Sequence, residues 1–168
     1  MIRGIIHWTL WRVGSIGNLR EEILVNQLAS EFGSIDGITT TYEFAKNPDR
    51  LTSAQLPAVL FVPSRIDLSP KAHHNIHRNK TDIVGVLYVA SRKSRGGKLK
   101  FLDNSALPFL YTVRKHFQKK ETILRLLDLG LISAELVSGS YGAGGDFLTY
   151  DGIEHVGIVF QWEFLEII

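Results

Sequence analysis

KAHHNIHRNK, residues 71–80, sets His73 and His77 four residues apart with His74 between them. On a helix that spacing puts two imidazoles on one face, where they grip a transition metal. Pro70 and Asn75 interrupt the run, and no acidic residue nearby completes a ligand set, so a solvated loop is the preferred reading. SGSYGAGGDFLTYDG, residues 138–152, carries five glycines beside Asp146 and Asp151. A phosphate-cradling loop needs a helix N-terminus behind its glycines to supply oriented N–H donors. A strand pattern follows here instead, and there is no Gly-Lys-Ser/Thr. RKSRGGKLK, residues 92–100, concentrates five cations in nine residues. They suit phosphates, but no aromatic residues are interleaved for base stacking. The preferred reading is a solvated hairpin end. With Lys71, Arg78 and Lys80 it makes both ends of the apolar stretch 82–91 basic, as a surface for passing DNA or an acidic protein partner would be. No Gly-x-Ser-x-Gly nucleophile motif occurs. No catalytic residue, cofactor or metal is assigned.

The elements that would position these groups follow from pattern. A chain of 168 residues with a net charge of +2 and no cysteine is expected to form one domain with its own core, without disulfides or thiolate sites. Its charge is too small to argue for nucleic acid by itself. No signal peptide is expected in MIRGIIHWTLWRVGS, where His7 and Arg12 interrupt the apolar run, and no stretch reaches membrane-spanning length. Trp8 and Trp11 there are either a hydrophobic anchor for a partner or, preferably, a cover for the domain's own core.

NLREEILVNQLASEFG predicts a helix, with Asn18 and Glu21 spaced as a capping box, Leu19, Ile23, Leu24, Leu28 and Phe32 on one stripe, and Gly33 as the stop. GITTTYEF alternates, with Ile38, Thr40, Tyr42 and Phe44 on one face of a strand. LPAVLFVPS and TDIVGVLYVAS are apolar on both faces, as central covered strands are. The polar segment between them reads as an excursion or extended hairpin end. A second helix starts near Ser105 as cap, with Pro108 in its first turn, and continues after a polar break to Gly130. The last segment has a period of two: Val156, Ile158, Phe160, Trp162 and Phe164 point one way, His155, Gly157, Gln161 and Glu163 the other, toward solvent.

Asp151-Gly152 is a preferred two-residue hairpin turn. Pairing Tyr150 with Ile153 sets Phe147 opposite Val156 and Tyr141 opposite Trp162. The apolar set Ile132, Ala134 and Leu136 then has the wrong parity, which one extra residue, a β-bulge between Leu136 and Tyr141 or within the glycines, would restore. The expected architecture is α+β: a mainly antiparallel sheet of about five strands with two main helices, in the order α-β-β-β-α-β-β, closed by a long C-terminal hairpin.

In element order, in the Leu56-Pro57-Ala58-Val59 strand running into LFVPS, and in a last strand ending Phe160, Trp162, Glu163, Phe164, residues 18–168 resemble the tail terminator, or tail-completion, proteins of long-tailed bacteriophages, a group of head–tail joining proteins. Residues 1–17 stand apart as an N-terminal arm. The resemblance implies a structural virion protein, not an enzyme. It would be assembled in the host cytoplasm and sit at the tail–neck junction as a ring, commonly a hexamer. Its partners would be copies of itself, the tail tube protein and the neck or connector protein, with non-specific contact to passing DNA and none to membrane. By the same analogy the ring or tube contacts fall on the excursion at 68–80 (Lys71, His73, His77, Arg78, Lys80), the loop at 92–98 (Arg92, Lys93, Arg95, Lys98) and the glycine-rich hairpin (Tyr141, Asp146). Trp8 and Trp11 would suit an arm that grasps a neighbour. Two other readings stand beside it: a small nucleic-acid-binding protein using basic loops 71–80 and 92–100, and a hydrolase or metal-dependent enzyme built around the histidines.

Overall fold

A computed structural model of the chain describes residues 20–69, 78–92, 106–141 and 147–167. Three helices lie on one face of a six-stranded, mostly antiparallel sheet, so the expected α+β class is the observed one. Helix α1 covers residues 20–33. Strand β1 (Thr40–Thr41) is followed by two long strands, β2 (Ala58–Ser69) and β3 (Arg78–Ser91). Helices α2 (Leu107–Phe117) and α3 (Lys120–Leu127) come next, then β4 (Ser133–Tyr141), β5 (Leu148–Tyr150) and β6 (Ile153–Ile167). The sheet order is β1-β2-β3-β6-β4, with β5 also paired to β6. Only the β1–β2 contact is parallel.

The period of two in β6 gives the sheet its buried face. Ile158, Phe160, Trp162 and Phe164 all face the helices and are fully buried. They meet Leu24, Val25, Leu28, Ala29 and Phe32 of α1, Val113 and Phe117 of α2, and Leu126 of α3. Trp162 is the hub, with the rings of Phe32, Phe117, Phe160 and Phe61 at 5.5, 5.3, 5.8 and 6.0 Å. A Cβ on Gly85 would lie 2.6 Å from the Trp162 indole, so the missing side chain in β3 makes room for the largest one in β6. Edge-to-face aromatic packing adds about 1 kcal/mol per pair beyond area burial.

Among the described residues, the opposite face is covered at one end. Leu51, Ala58, Leu60, Tyr88 and Leu148 form a second cluster there, joined by Tyr42, Leu56, Val86, Tyr150 and Val159. The connection 42–57 crosses over this face, held by the Tyr150 hydroxyl donating to the Pro48 carbonyl and by Arg50 on Asp151 at 2.9 Å. Farther along the same face, Val62 is 50% exposed.

Several local expectations need correction. GITTTYEF is a strand only at Thr40–Thr41, because the chain turns at Ala45 (φ 58°) and the Asn26 side chain captures the Phe44 N–H at 2.9 Å. Ile38 and Phe44 pack on the main core and Tyr42 on the second cluster, so they do not share one face. The buried stripe of α1 runs through Val25 and Ala29, and Ile23 is exposed. Gly33 ends the helix without positive φ; the left-handed residue is Gly37 (φ 89°). The second helical region is two helices, and α2 has no side-chain cap, with Ala106 at its N-cap. Asn18, Leu19 and Ser105 lie outside the described residues. The polar segment between β2 and β3, by contrast, follows the extended-hairpin reading in its described part, since the two strands stay paired to Ser69↔Arg78.

In the C-terminal hairpin, Tyr150 pairs with Ile153 across Asp151 (φ 48°) and Gly152 (φ 71°), the two positive φ values of a type I′ turn. Tyr141 pairs with Ile158, not Trp162, because the registers of β4 and β5 on β6 are not continuous: Tyr141 meets Ile158 and Leu148 meets His155. The extra residue demanded by parity is present: the register shifts between Leu136 and Ser138, leaving Val137 as the bulge. Ala134 and Leu136 thereby reach the main core, while Ile132 is exposed. Nothing lies within 4 Å of a Cβ on Gly152, so its constraint is conformational. Gly152→Ala should lower stability by about 1 kcal/mol, the cost of a left-handed L-residue, read as a urea midpoint shift. A substitution without effect would show that the turn tolerates another geometry.

Candidate functional site

β3 spans fourteen residues and β6 fifteen, so the sheet is about 43–46 Å long at 3.3 Å per residue. Its register sorts the candidate segments to two opposite ends. At the first end Ser69, Arg78 and Ile167 are neighbours, so the connection 70–77 and the C-terminus leave there. Arg20 binds the same end: its Nη1 donates to the Leu129 carbonyl at 2.7 Å and its Nη2 pairs with Glu166 at 2.6 Å, so residues 1–19 also enter there. At the second end Ser91 lies beside His155, next to the Asp151-Gly152 turn, and the connections 93–105 and 142–146 depart from it.

The described residues that flank the two basic segments, Arg78 and Ser91, therefore stand a strand length apart. Of the candidate interface residues, Lys80 and Arg92 have described side chains. Lys80 Nζ lies 2.7 Å from Glu163 and 3.8 Å from Asp82. Arg92 pairs with Glu154 and covers the Phe147 ring, its guanidinium 4.8 Å from the centroid. Both cations are engaged by their own domain. Arg78 and Tyr141 are placed by backbone, at the first end of β3 and the second end of β4. Trp8, Trp11, Lys71, His73, His77, Lys93, Arg95, Lys98 and Asp146 lie outside the described residues. Among the described residues no group of three or more His, Asp or Glu side chains is placed to hold a metal ion.

His155 corrects a sequence expectation. It lies on the face opposite Trp162 but is 1% exposed, with Leu148 of β5 paired beside it. Its ring meets that of Tyr88 edge to face at 5.3 Å, and Nδ1 is 2.9 Å from the Ile153 carbonyl. Burial pushes its pKa below the ordinary histidine value, with the Ile153 carbonyl opposing weakly, so the ring is neutral near pH 7.

Sequence reasoning missed the densest polar cluster. Glu31, in the last turn of α1, is 3% exposed. Arg125 of α3 clamps it with two bonds, Nε to Oε1 at 2.6 Å and Nη2 to Oε2 at 2.8 Å. His116 of α2 adds Nε2 at 2.8 Å from Oε2, and Gln27 Nε2 donates to Oε1 at 3.1 Å. Four contacts occupy both oxygens, leaving no open position for a substrate, so the cluster ties three helices together. His116 is 85 residues and Arg125 94 residues from Glu31, and no local spacing signals such a contact.

The free edge is the remaining feature. Among the described residues β4 pairs with β6 alone. Along it runs a cleft of about 630 Å³ between the strand and helices α2 and α3, lined by Leu110, Tyr111, Phe117, Leu136, Val137 and Phe160 among others. Tyr111 is 63% and Val137 53% exposed. Gly139 lets the helix approach closely, since a Cβ there would lie 2.9 Å from Leu110. The chain matches no family model, and a search of curated proteins returns no match either.

Proposed function

We propose that the chain is a structural protein of a phage tail that closes the end of the tail tube and joins it to the neck, working as a ring of identical copies. The observation that carries this reading is the sorting of its connections to two opposite ends of one stiff sheet. A protein that joins two neighbours needs two separate contact surfaces held at fixed distance, and long central strands provide that spacing. The side edge left open at β4 supplies a third direction, in which one copy can meet the next. Contacts between unlike patches close into a ring when the rotation per copy divides a full turn. The nucleic-acid reading is less favoured because one binding groove needs its cations on one surface, whereas Lys80 and Arg92, at opposite ends of β3, are each paired within the domain.

The test is native mass spectrometry and electron microscopy of the purified chain, alone and with tubes grown from the tail tube protein. The expected result is a ring, commonly of six copies in the group it resembles, seated on tube ends whose growth then stops. A strictly monomeric species that ignores tube ends overturns the reading. Binding to DNA that weakens steeply with salt, without any ring, would favour the nucleic-acid alternative.

A further inference from the structure

We infer that the cleft beside β4 receives the segment Ile5–Trp11 of a neighbouring copy, laid along the free edge as an added strand. This rests on the ring reading above and names the contact that links one copy to the next.

An edge strand presents unpaired N–H and C=O groups, which proteins normally cover, shorten or interrupt. β4 has nine residues, too many to be negligible, and no described element covers its outer edge. The bulge at Val137 prevents continuous pairing by an arbitrary strand, so side-chain fit must decide what docks. Beside the edge, the cleft combines exposed Tyr111 and Val137 with the partly buried Leu110 and Leu136. An added strand would place alternate side chains into such a cleft and bind by its main chain.

The sequence contains a segment of that kind. In Ile5-Ile6-His7-Trp8-Thr9-Leu10-Trp11, Ile6, Trp8 and Leu10 alternate with His7 and Thr9. β-Branched and aromatic residues of this type favour strands. Arg3 and Arg12 flank it, and Glu135 is exposed on β4. The point of entry also fits. Arg20 is fixed to Leu129 and Glu166, while Ser133, the first residue of β4, pairs with the adjacent Leu165. The spacer 12–19 reaches at most about 28 Å at 3.5 Å per residue, enough to pass from one copy to an adjoining edge.

The chain has no cysteine, so engineered pairs report the contact directly. Thr9→Cys in one chain should cross-link under mild oxidation to Glu135→Cys or Ser138→Cys in another, giving a dimer. In the added strand Thr9 alternates with Trp8 and Leu10, as Glu135 and Ser138 alternate with Leu136 and Gly139 in β4, which pairs it with these two positions. With both substitutions in one chain the product should be a ladder of multimers. Val137→Asp, folded by circular dichroism, should abolish the cross-link, and native mass spectrometry should show its ring lost. A closed loop within one chain, or intact rings that give no cross-link, overturns the docking and leaves the ring reading standing. Wild-type protein that stays monomeric and ignores tube ends overturns the ring reading itself.

Discussion

Glu31→Ala is expected to lower the unfolding free energy by about 3 kcal/mol, near the low end for breaking a buried ion pair. The carboxylate is held by groups from two other helices. Its removal leaves the His116 ring buried without that partner, and the Arg125 guanidinium facing a cavity. Arg125 is half exposed and can turn toward water, which keeps the loss from being larger. For a domain of this size the change corresponds to a fall in Tm of about 6–12 °C. Arg125→Ala should cost less than Glu31→Ala, since the Glu31 oxygens would still meet His116 and Gln27. A change below 1 kcal/mol for Glu31→Ala would show that the cluster is a solvated contact and not a pin. The pH dependence supplies an independent check. Burial by itself would raise the Glu31 pKa, but the hydrogen bonds from Arg125 and His116 and the Arg125 charge outweigh it and hold the carboxyl below its usual value. A depressed folded-state pKa contributes stability that is complete above the unfolded value of about 4.3 and disappears as pH falls through the folded value. Wild-type stability should therefore decline below about pH 4–5 more steeply than that of Glu31→Gln. Parallel acid limbs would contradict the assignment.

That cluster marks where sequence patterns stop being informative. Period-two alternation announced β6, because a strand with one buried face has no other way to place Ile158 through Phe164. The Asp151-Gly152 turn was equally legible, since few residue pairs accept two positive φ values. Even the Val137 bulge could be inferred, because Ala134 and Leu136 had to reach the same face as Trp162. What stayed hidden depends on contacts between distant segments. His155 alternates with core residues and reads as solvent-facing, yet the Tyr88 ring against it comes from a distant strand and β5 beside it from across the turn. GITTTYEF alternates well enough for a long strand, yet Asn26 and the turn at Ala45 divert it after two residues. The candidate interface was legible as segments, but not as geometry. That the described residues flanking segments 70–77 and 93–105 stand at opposite ends of one sheet follows from the β3 register.

Gly157→Ala should be among the most damaging single-methyl additions in the chain, lowering stability by about 3 kcal/mol, at the upper end for overpacking a core. Gly157 pairs with Tyr88 beside the irregularity in β3 at which Val89 is skipped. An added Cβ would lie 2.4 Å from the Leu87 carbonyl oxygen and 2.5 Å from Leu148 Cδ1. The leucine side chain can turn away, but the carbonyl belongs to the adjoining central strand. Relief of that clash requires β3 and β6 to separate, and together they hold both faces of the sheet. Gly157→Ala combined with Leu148→Ala should therefore fail to restore stability. Full recovery would show that the side chain, and not the backbone, sets the limit. Gly139→Ala offers the contrast, because its nearest neighbours are the side chains of Leu110 and Phe160 at 2.9 and 3.1 Å. It should cost about 1 kcal/mol, since side chains at an edge yield more readily than a central strand. The two glycines also separate the ends of the molecule. Gly157 supports β5 and the cover over His155, so its substitution should first release hydrogen-exchange protection around Leu87 and Leu148. Amides near Arg78 and Ile167, at the opposite end, should keep theirs longer. Uniform loss along β3 would mean that the sheet opens as one cooperative unit, with no independence between its two ends.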